Sequence, residues 1–160
     1  PSLIKDGIVY YLDGGEIQQI DLKNNTRRTL MQATDGEPIR IALPSADGTK
    51  LLLLAQTWTR RPQQLYRADL ARGESQLLLR LPRSAAFVYL DETRAIAAKG
   101  KKLLFYDLTG EQAEQTGTME LSTRIVDRRN KVECAGGWLF LYRFNDKTMR
   151  DELVEKVRIG

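Results

Sequence analysis

A motif that recurs four times constrains the fold more than any other feature of this sequence. Each copy is a short apolar run that ends in Asp or Asn and is followed by turn-forming residues. These terminal residues are Asp21, Asp69, Asp107 and Asn145, at intervals of 48, 38 and 38 residues. The short side chain of Asp or Asn hydrogen-bonds to the backbone two residues later, which ends a strand and begins a turn. The repeat therefore predicts four equivalent units with a strand end at each of these positions.

Further strand-like segments lie on both sides of each motif. Gly or Pro precedes every copy, and a second run follows it, at residues 27–31, 75–81, 112–119 and 152–159. Short runs rich in Val, Ile, Tyr and Leu that are bounded by Gly, Asn and Asp are typical of strands joined by hairpins. A period of about 40 residues with three or four strands in each unit is typical of a β-propeller. We therefore expect an all-β, β-propeller-like fold with about four blades of three to four antiparallel strands.

The repeat also predicts the domain organisation. The four blades correspond approximately to residues 1–38, 39–82, 83–121 and 122–160, and a chain of 160 residues is long enough for one domain with its own core. We therefore expect a single propeller-like domain. Because the chain begins with Pro1 and Ser2 rather than methionine, we interpret it as a domain cut from a longer or processed protein. On this interpretation residues 1–5 leave too little room for the innermost strand of the first blade.

The segment near the C-terminus fits two periodicities. Met149, Leu153 and Val157 are spaced four residues apart, as on one face of a helix. The same segment also alternates as Leu153, Glu155, Val157 and Ile159, as on one face of a strand. Periodicity alone leaves both alternatives open for residues 149–158, and the four-fold repeat favours the strand.

The second unit carries a more specific pattern. Residues 44–54 are PSADGTKLLLL, residues 64–70 are QLYRADL and residues 73–78 are GESQLL. This order resembles a blade of the TolB-like β-propeller family, although Ala46 stands where the family typically has proline. The resemblance is partial in the first and third units and poor in the fourth, where Asn145 stands for the Asp of the motif. It implies a propeller or half of a larger one. The family includes colicin-translocation proteins, prolyl oligopeptidases and periplasmic sensor domains, so the resemblance implies a periplasmic location but leaves the function open.

The composition excludes most catalytic chemistry. The sequence has no histidine, one cysteine (Cys134), no G-x-S-x-G motif and no glycine-rich phosphate loop. Triads, imidazole relays and cysteine-rich metal sites are therefore excluded. The carboxylate pairs Asp91-Glu92 and Asp151-Glu152 lie in predicted turns, which favours solvated turns over acid–base pairs. We expect that the chain is not an enzyme by itself and that it uses no cofactor and no metal.

The charge pattern does not predict binding to nucleic acid. The formal net charge is +4, and basic residues occur as scattered pairs among acidic ones. A nucleic-acid-binding protein is expected to cluster its basic residues on one face. The longest apolar run, residues 51–55, is much shorter than the roughly 20 residues of a membrane-spanning helix. We therefore expect membrane contact only through a segment outside this sequence.

The candidate partner-binding site is a loop in the second unit. Residues 57–62 are an insertion between two strands that a tight turn joins in the other units. Within this loop, Trp58 lies close to Arg60 and Arg61, a combination that is enriched in interaction hot spots. In the alternative interpretation, Trp58 covers a hydrophobic edge of its own sheet and the arginines are solvated. We expect Trp138, by contrast, in the blade-packing core, and Cys134 as a small buried hydrophobic residue.

These observations predict an interaction or sensor module that binds a protein or peptide partner. A row of four blades leaves two terminal faces that are apolar by construction, so a partner or a second copy is expected to cover at least one of them. The chain could thus form the periplasmic sensing part of a membrane-anchored regulator. The alternative function is an accessory propeller domain of a hydrolase of the prolyl oligopeptidase type.

The loop hypothesis makes a quantitative prediction. If Trp58 and Arg60 are hot-spot residues, changing either one to Ala weakens partner binding by more than about 1 kcal/mol. Isothermal titration calorimetry measures the affinity, and circular dichroism checks that the fold is intact. An unchanged affinity in a folded variant assigns the loop to the covering role instead.

Overall fold

The computed structural model describes residues 2–32, 39–55, 62–126 and 129–160. Regular structure in these ranges consists of β-strands, and none of their segments is a helix long and apolar enough to cross a membrane. The strands are β1 (Ser2–Lys5), β2 (Ile8–Asp13), β3 (Glu16–Asp21), β4 (Thr26–Gln32), β5 (Ile39–Pro44), β6 (Lys50–Ala55), β7 (Gln63–Asp69), β8 (Glu74–Leu81), β9 (Ala86–Tyr89), β10 (Arg94–Asp107), β11 (Glu114–Ile125), β12 (Asn130–Ala135), β13 (Trp138–Asn145) and β14 (Arg150–Arg158).

The strands form four antiparallel sheets in chain order. The first sheet has the order β1-β2-β3-β4, the second β5-β6-β7-β8, the third β11-β10-β9 and the fourth β12-β13-β14. Neighbours in each sheet are consecutive in sequence, so each sheet is a meander built from one continuous stretch of chain. The predicted all-β fold with four sheets of three to four antiparallel strands is confirmed. The C-terminal segment is strand β14, as the repeat favoured.

The expectation that residues 1–5 are too few for a strand is wrong. Strand β1 pairs with β2 from Ser2 opposite Tyr11 to Lys5 opposite Ile8. Asp6 and Gly7 form the connecting turn with φ values of 51° and 77°. A two-residue turn with both φ values positive matches the twist of the flanking strands, so the hairpin closes within very few residues.

The four Asp or Asn residues of the repeat occupy equivalent positions, as predicted. They are the last residues of β3, β7, β10 and β13, and the Oδ1 atom of each accepts a hydrogen bond from the backbone N–H two residues later. The distances are 3.0 Å for Asp21 with Lys23, 3.1 Å for Asp69 with Ala71, 2.8 Å for Asp107 with Thr109 and 2.9 Å for Asn145 with Lys147. One local interaction therefore ends the corresponding strand in all four sheets.

Strand β10 folds back on itself. The Leu108 N–H donates to the Thr93 carbonyl at 2.7 Å, although these residues flank the two ends of β10. A straight strand of this length would hold its ends about 45 Å apart. Gly100 lies midway with a φ of 57°, the left-handed conformation that glycine adopts without strain. The third sheet thus contains the same central hairpin that β2 and β3 form in the first.

The chain divides into two compact units, Pro1–Arg80 and Leu81–Gly160. In the first unit, the first and second sheets pack face to face around one core. Partly buried residues of the first sheet pack against this core: Tyr10, Leu12, Leu30 and Met31. Its buried members are Ile17, Ile39, Leu51, Leu53, Ala55, Tyr66, Ala68 and Leu70.

The second unit has its own core between the third and fourth sheets. Half-buried Cys134 packs against this core, and burial raises the pKa of its thiol, as expected for a small hydrophobic residue. The buried members are Ala86, Ile96, Ala98, Leu103, Leu121, Ile125, Val132, Leu139 and Leu141.

The two carboxylate pairs differ in their surroundings. Asp91 lies in the turn between β9 and β10, where it accepts from the Thr93 N–H at 2.8 Å and pairs with Arg94 at 2.8 Å. The hydrogen bond from Arg94 lowers the pKa of Asp91 to about 2. Asp151 and Glu152, in contrast, are exposed residues of β14, so the prediction that they lie in a turn is wrong.

The Glu155 side chain, on β14 of the fourth sheet, accepts hydrogen bonds from an irregular stretch of β11 in the third sheet. The pairing of β11 with β10 jumps from Glu120 opposite Lys102 to Ile125 opposite Gly100. Within the unpaired stretch, the carboxylate of Glu155 accepts hydrogen bonds from Ser122 N at 2.9 Å and Thr123 N at 2.6 Å. Glu155 therefore satisfies backbone donors that the sheet itself leaves without a strand partner.

The turn chemistry predicts a difference between two substitutions at Asp69. Asp69→Ala removes the acceptor for two backbone N–H groups, so we expect a loss of about 1–2 kcal/mol in the free energy of unfolding. Asp69→Asn keeps an acceptor oxygen, as Asn145 does in the fourth sheet, and we expect a much smaller loss. Urea unfolding measures both, and equal losses would contradict this account of the turn.

Glu155→Ala tests the support of β11. It leaves two backbone N–H groups without an acceptor, and we expect it to lower the free energy of unfolding by about 1–3 kcal/mol. The control is Glu114→Ala, at the other end of β11, where the exposed carboxylate makes no side-chain hydrogen bond with the described residues. Equal stabilities of the two variants would show that Glu155 contributes nothing.

The same carboxylate predicts a pH dependence. Burial of Glu155 acts to raise its pKa, but the hydrogen bonds from Ser122 and Thr123 outweigh burial and hold it below the usual 4.5. Because the pKa of Glu155 is lower in the folded state than in the unfolded state, its ionised carboxylate stabilises the protein above pH 4.5. This stabilisation is lost as the pH falls through the folded-state pKa. We expect the stability difference between wild type and Glu155→Ala to shrink over that acidic range.

Candidate functional site

The loop predicted to bind a partner, with Trp58, Arg60 and Arg61, lies outside the described residues. Its role stays a prediction. The described residues instead offer a surface on the fourth sheet that sequence reasoning did not single out.

The prediction that Trp138 belongs to the core is wrong. Trp138 is half-buried and is absent from the buried core of the second unit, whereas its neighbour Leu139 is fully buried there. Successive residues of a strand point to opposite faces of the sheet. Because Leu139 and Leu141 occupy the core side, Trp138 lies on the opposite side.

Four aromatic residues share this outer side of β13. They alternate along the strand with the core-facing residues, and each is half-buried: Trp138, Phe140, Tyr142 and Phe144. Their register partners on β14 are Arg158, Lys156, Leu153 and Asp151. We call this surface, with Leu153, Lys156 and Arg158, the aromatic face.

Two cations lie over the aromatic rings. The Lys156 Nζ atom is 4.2 Å from the ring centroid of Trp138 and 5.7 Å from that of Phe140. The Arg158 Cζ atom is 5.3 Å from the Trp138 centroid. Such cation–π contacts hold the long side chains flat against the rings. On the β12 side, Lys131 pairs with Glu133 at 3.1 Å, so the positive charge of the face comes from Lys156 and Arg158.

The first sheet has a comparable outer side. Ile4 is 67% exposed, and Val9, Tyr11 and Ile20 of the same side are half-buried. The Arg27 Cζ atom lies 5.5 Å from the Tyr11 ring centroid. We call this surface the first-sheet face. Both terminal sheets thus present apolar residues on the side opposite their core.

Two observations in the described ranges bear on metal binding and on small-molecule binding. No group of three or more acidic or cysteine residues there is arranged to hold a metal ion. A cavity of about 180 Å³ in the second unit is lined by residues that include Arg94, Phe105 and Asp107. Its volume is below the roughly 300 Å³ at which small-molecule sites begin.

The comparisons with known proteins identify the fold. No protein-family model and no curated protein matches the chain. Among solved structures, an oligogalacturonate lyase in complex with manganese matches 98% of the chain with a TM-score of 0.54 and 14% identity. The β-propeller domain of the trilobed protease from Pyrococcus furiosus matches 88% with a TM-score of 0.51 and 17% identity. An acylaminoacyl peptidase from Pyrococcus horikoshii matches 86% with a TM-score of 0.52 and 13% identity.

These similarities concern the fold alone, because the identities are low and the neighbours differ in activity. The chain spans 52%, 46% and 26% of the length of the three structures, respectively. The chain is therefore similar to part of a β-propeller.

Proposed function

We propose that this chain is a non-catalytic propeller-type interaction module that binds a protein or peptide partner. The observation that carries the proposal is the aromatic face. Trp138, Phe140, Tyr142 and Phe144 keep part of their rings in water on the side of the sheet away from the core. Aromatic residues and arginine are the types most enriched in the centres of protein interfaces.

The charges indicate the chemistry of the partner. Lys156 and Arg158 form no ion pair with an Asp or Glu side chain among the described residues. Both lie against Trp138, and Arg158 also donates to the Gly160 oxygen at 2.7 Å. A partner that covers the rings also desolvates these cations, so it gains most if it supplies carboxylates next to apolar side chains. An acidic, apolar surface or peptide satisfies both requirements.

A more specific proposal concerns the cellular location of the chain and the kind of protein that contains it. The TolB-like pattern of residues 44–78 supports a periplasmic sensor role, in which the module belongs to a membrane-anchored regulator. The similarity to propellers of two peptidases supports the alternative of an accessory domain of a hydrolase. The gene distinguishes the two, because a membrane span encoded before this region favours the sensor and a following G-x-S-x-G segment favours the hydrolase.

Selection of peptides tests the binding proposal without a known partner. Linear peptides are selected from a phage-displayed random library on the immobilised chain, and their affinities are measured by fluorescence anisotropy. We expect Trp138→Ala to weaken binding by at least tenfold, about 1.4 kcal/mol, as for a hot-spot residue.

Two lysine variants provide a matched comparison. Lys156→Ala removes a cation of the aromatic face, whereas Lys102→Ala removes an exposed lysine of β10. We expect only the first to weaken peptide binding, and circular dichroism verifies that each variant is folded. The proposal fails if no peptide is enriched above background, or if the selected peptides bind all three variants as tightly as the wild type.

A further inference from the structure

The apolar part of the aromatic face is long and narrow. Its four rings occupy alternate residues of β13, from Trp138 to Phe144. A strand advances about 3.4 Å per residue, so neighbouring rings lie about 7 Å apart and the row of rings is about 20 Å long. Neighbouring strands lie about 4.8 Å apart, so the row is about 10 Å wide between the side chains of β12 and those of β14.

Charged side chains border the row on both sides. Residues directly opposite each other in an antiparallel pair lie on the same face of the sheet. On the β12 side, Glu133 and Lys131 lie opposite two of the rings and pair with each other at 3.1 Å. On the β14 side, Arg158 and Lys156 lie opposite two of the rings, and both contact Trp138. An apolar ligand is therefore confined to the row itself.

The two ends of the row differ in charge. At one end, Lys156 and Arg158 form no ion pair with an Asp or Glu side chain in the part of the chain that the structure describes. At the other end, Phe144 lies opposite Asp151, an exposed residue of β14. An acidic group of a ligand is therefore more stable beside Trp138 than beside Phe144.

The size of the row favours a short ligand. Its area is roughly 200 Å², about a quarter of the roughly 800 Å² that each partner of a standard protein–protein interface buries. A peptide of about seven extended residues covers the length of about 20 Å. Side chains on one side of such a peptide repeat about every 7 Å, which is the spacing of the rings. The turns of a helix repeat about every 5.4 Å and fall out of step with the rings.

We propose that the aromatic face binds a linear peptide of about seven residues in an extended conformation, lying along β13. Its acidic side chains lie beside Trp138 and its apolar side chains lie towards Phe144. This assignment rests on the proposed function, because it specifies the partner of the same surface. Carboxylates of the peptide form charge-assisted hydrogen bonds with Lys156 and Arg158, while alternate apolar side chains pack against the remaining rings.

Two synthetic peptides of identical composition test the extended conformation. The test peptide has Asp at position 1, Glu at 3, Ile at 5 and Leu at 7, with threonine at the even positions. The control peptide has Ile and Leu at positions 2 and 4 and threonine at 5, 6 and 7, so that its acidic and apolar side chains face opposite sides. We expect the test peptide to bind at least about tenfold more tightly in fluorescence anisotropy. Equal affinities contradict an extended bound peptide.

A charge exchange tests which end of the row receives the acidic residues. Lys156→Glu combined with Arg158→Glu weakens binding of the test peptide, whereas a peptide with lysine at positions 1 and 3 binds this double variant more tightly than it binds the wild type. Lys101→Glu combined with Lys102→Glu is the matched control, because it changes the net charge equally at exposed residues of β10. Equal losses in both double variants show that net charge alone governs binding and overturn the inference.

Peptides selected from the random library separate this inference from the proposed function. If they share acidic residues followed or preceded by alternating apolar ones, and the test peptide competes with them, the inference stands. If they bind the aromatic face, as judged by Trp138→Ala, but lack this alternation and the test peptide does not bind, the inference fails and the proposed function stands. If neither selected peptides nor the test peptide bind, both fail.

Discussion

Face-to-face packing of small sheets is the constraint on which the rest of this structure depends. A meander of three or four strands satisfies its own backbone hydrogen bonds, but it buries neither of its faces by itself. The first unit solves this problem by placing Ile17 of one sheet against Leu53 and Tyr66 of the next, and the second unit does the same around Leu139 and Leu141. Turns and hairpins determine where strands begin and end, whereas stability comes from the neighbouring sheet.

The parts of the fold that local chemistry determines could be predicted from the sequence. The Asx turn requires only one side-chain oxygen and the backbone two residues later, so Asp21, Asp69, Asp107 and Asn145 identify four strand ends without knowledge of any distant contact. The same repeat distinguished a strand from a helix in β14, where the periodicity of Leu153 and Val157 was ambiguous. Repetition is informative because an accidental pattern does not recur at the same place in every unit.

Features of the fold that depend on contact with another strand or sheet could not be predicted from local sequence. In the first half of β13, residues 138–141, both alternating sets are apolar, so the sequence does not indicate whether Trp138 or Leu139 faces the core. The neighbouring sheet decides this, and the signal available in the sequence was that one set is aromatic while the other begins with two leucines. The role of Glu155 was equally hidden, because its partners Ser122 and Thr123 are more than thirty residues away in the sequence.

The chemistry of the two sides of the fourth sheet supports the proposed role of the aromatic face as an interface. Leucine has no favourable contact to make with water, so Leu139 and Leu141 are suited to permanent burial. Tryptophan, tyrosine and the stems of Lys156 and Arg158 combine an apolar body with a polar or charged end. Stacked cations shield part of the Trp138 ring while it faces water, and they can instead meet carboxylates when a partner covers the ring. A surface of this composition is compatible with both the free and the bound state, which a purely aliphatic face is not.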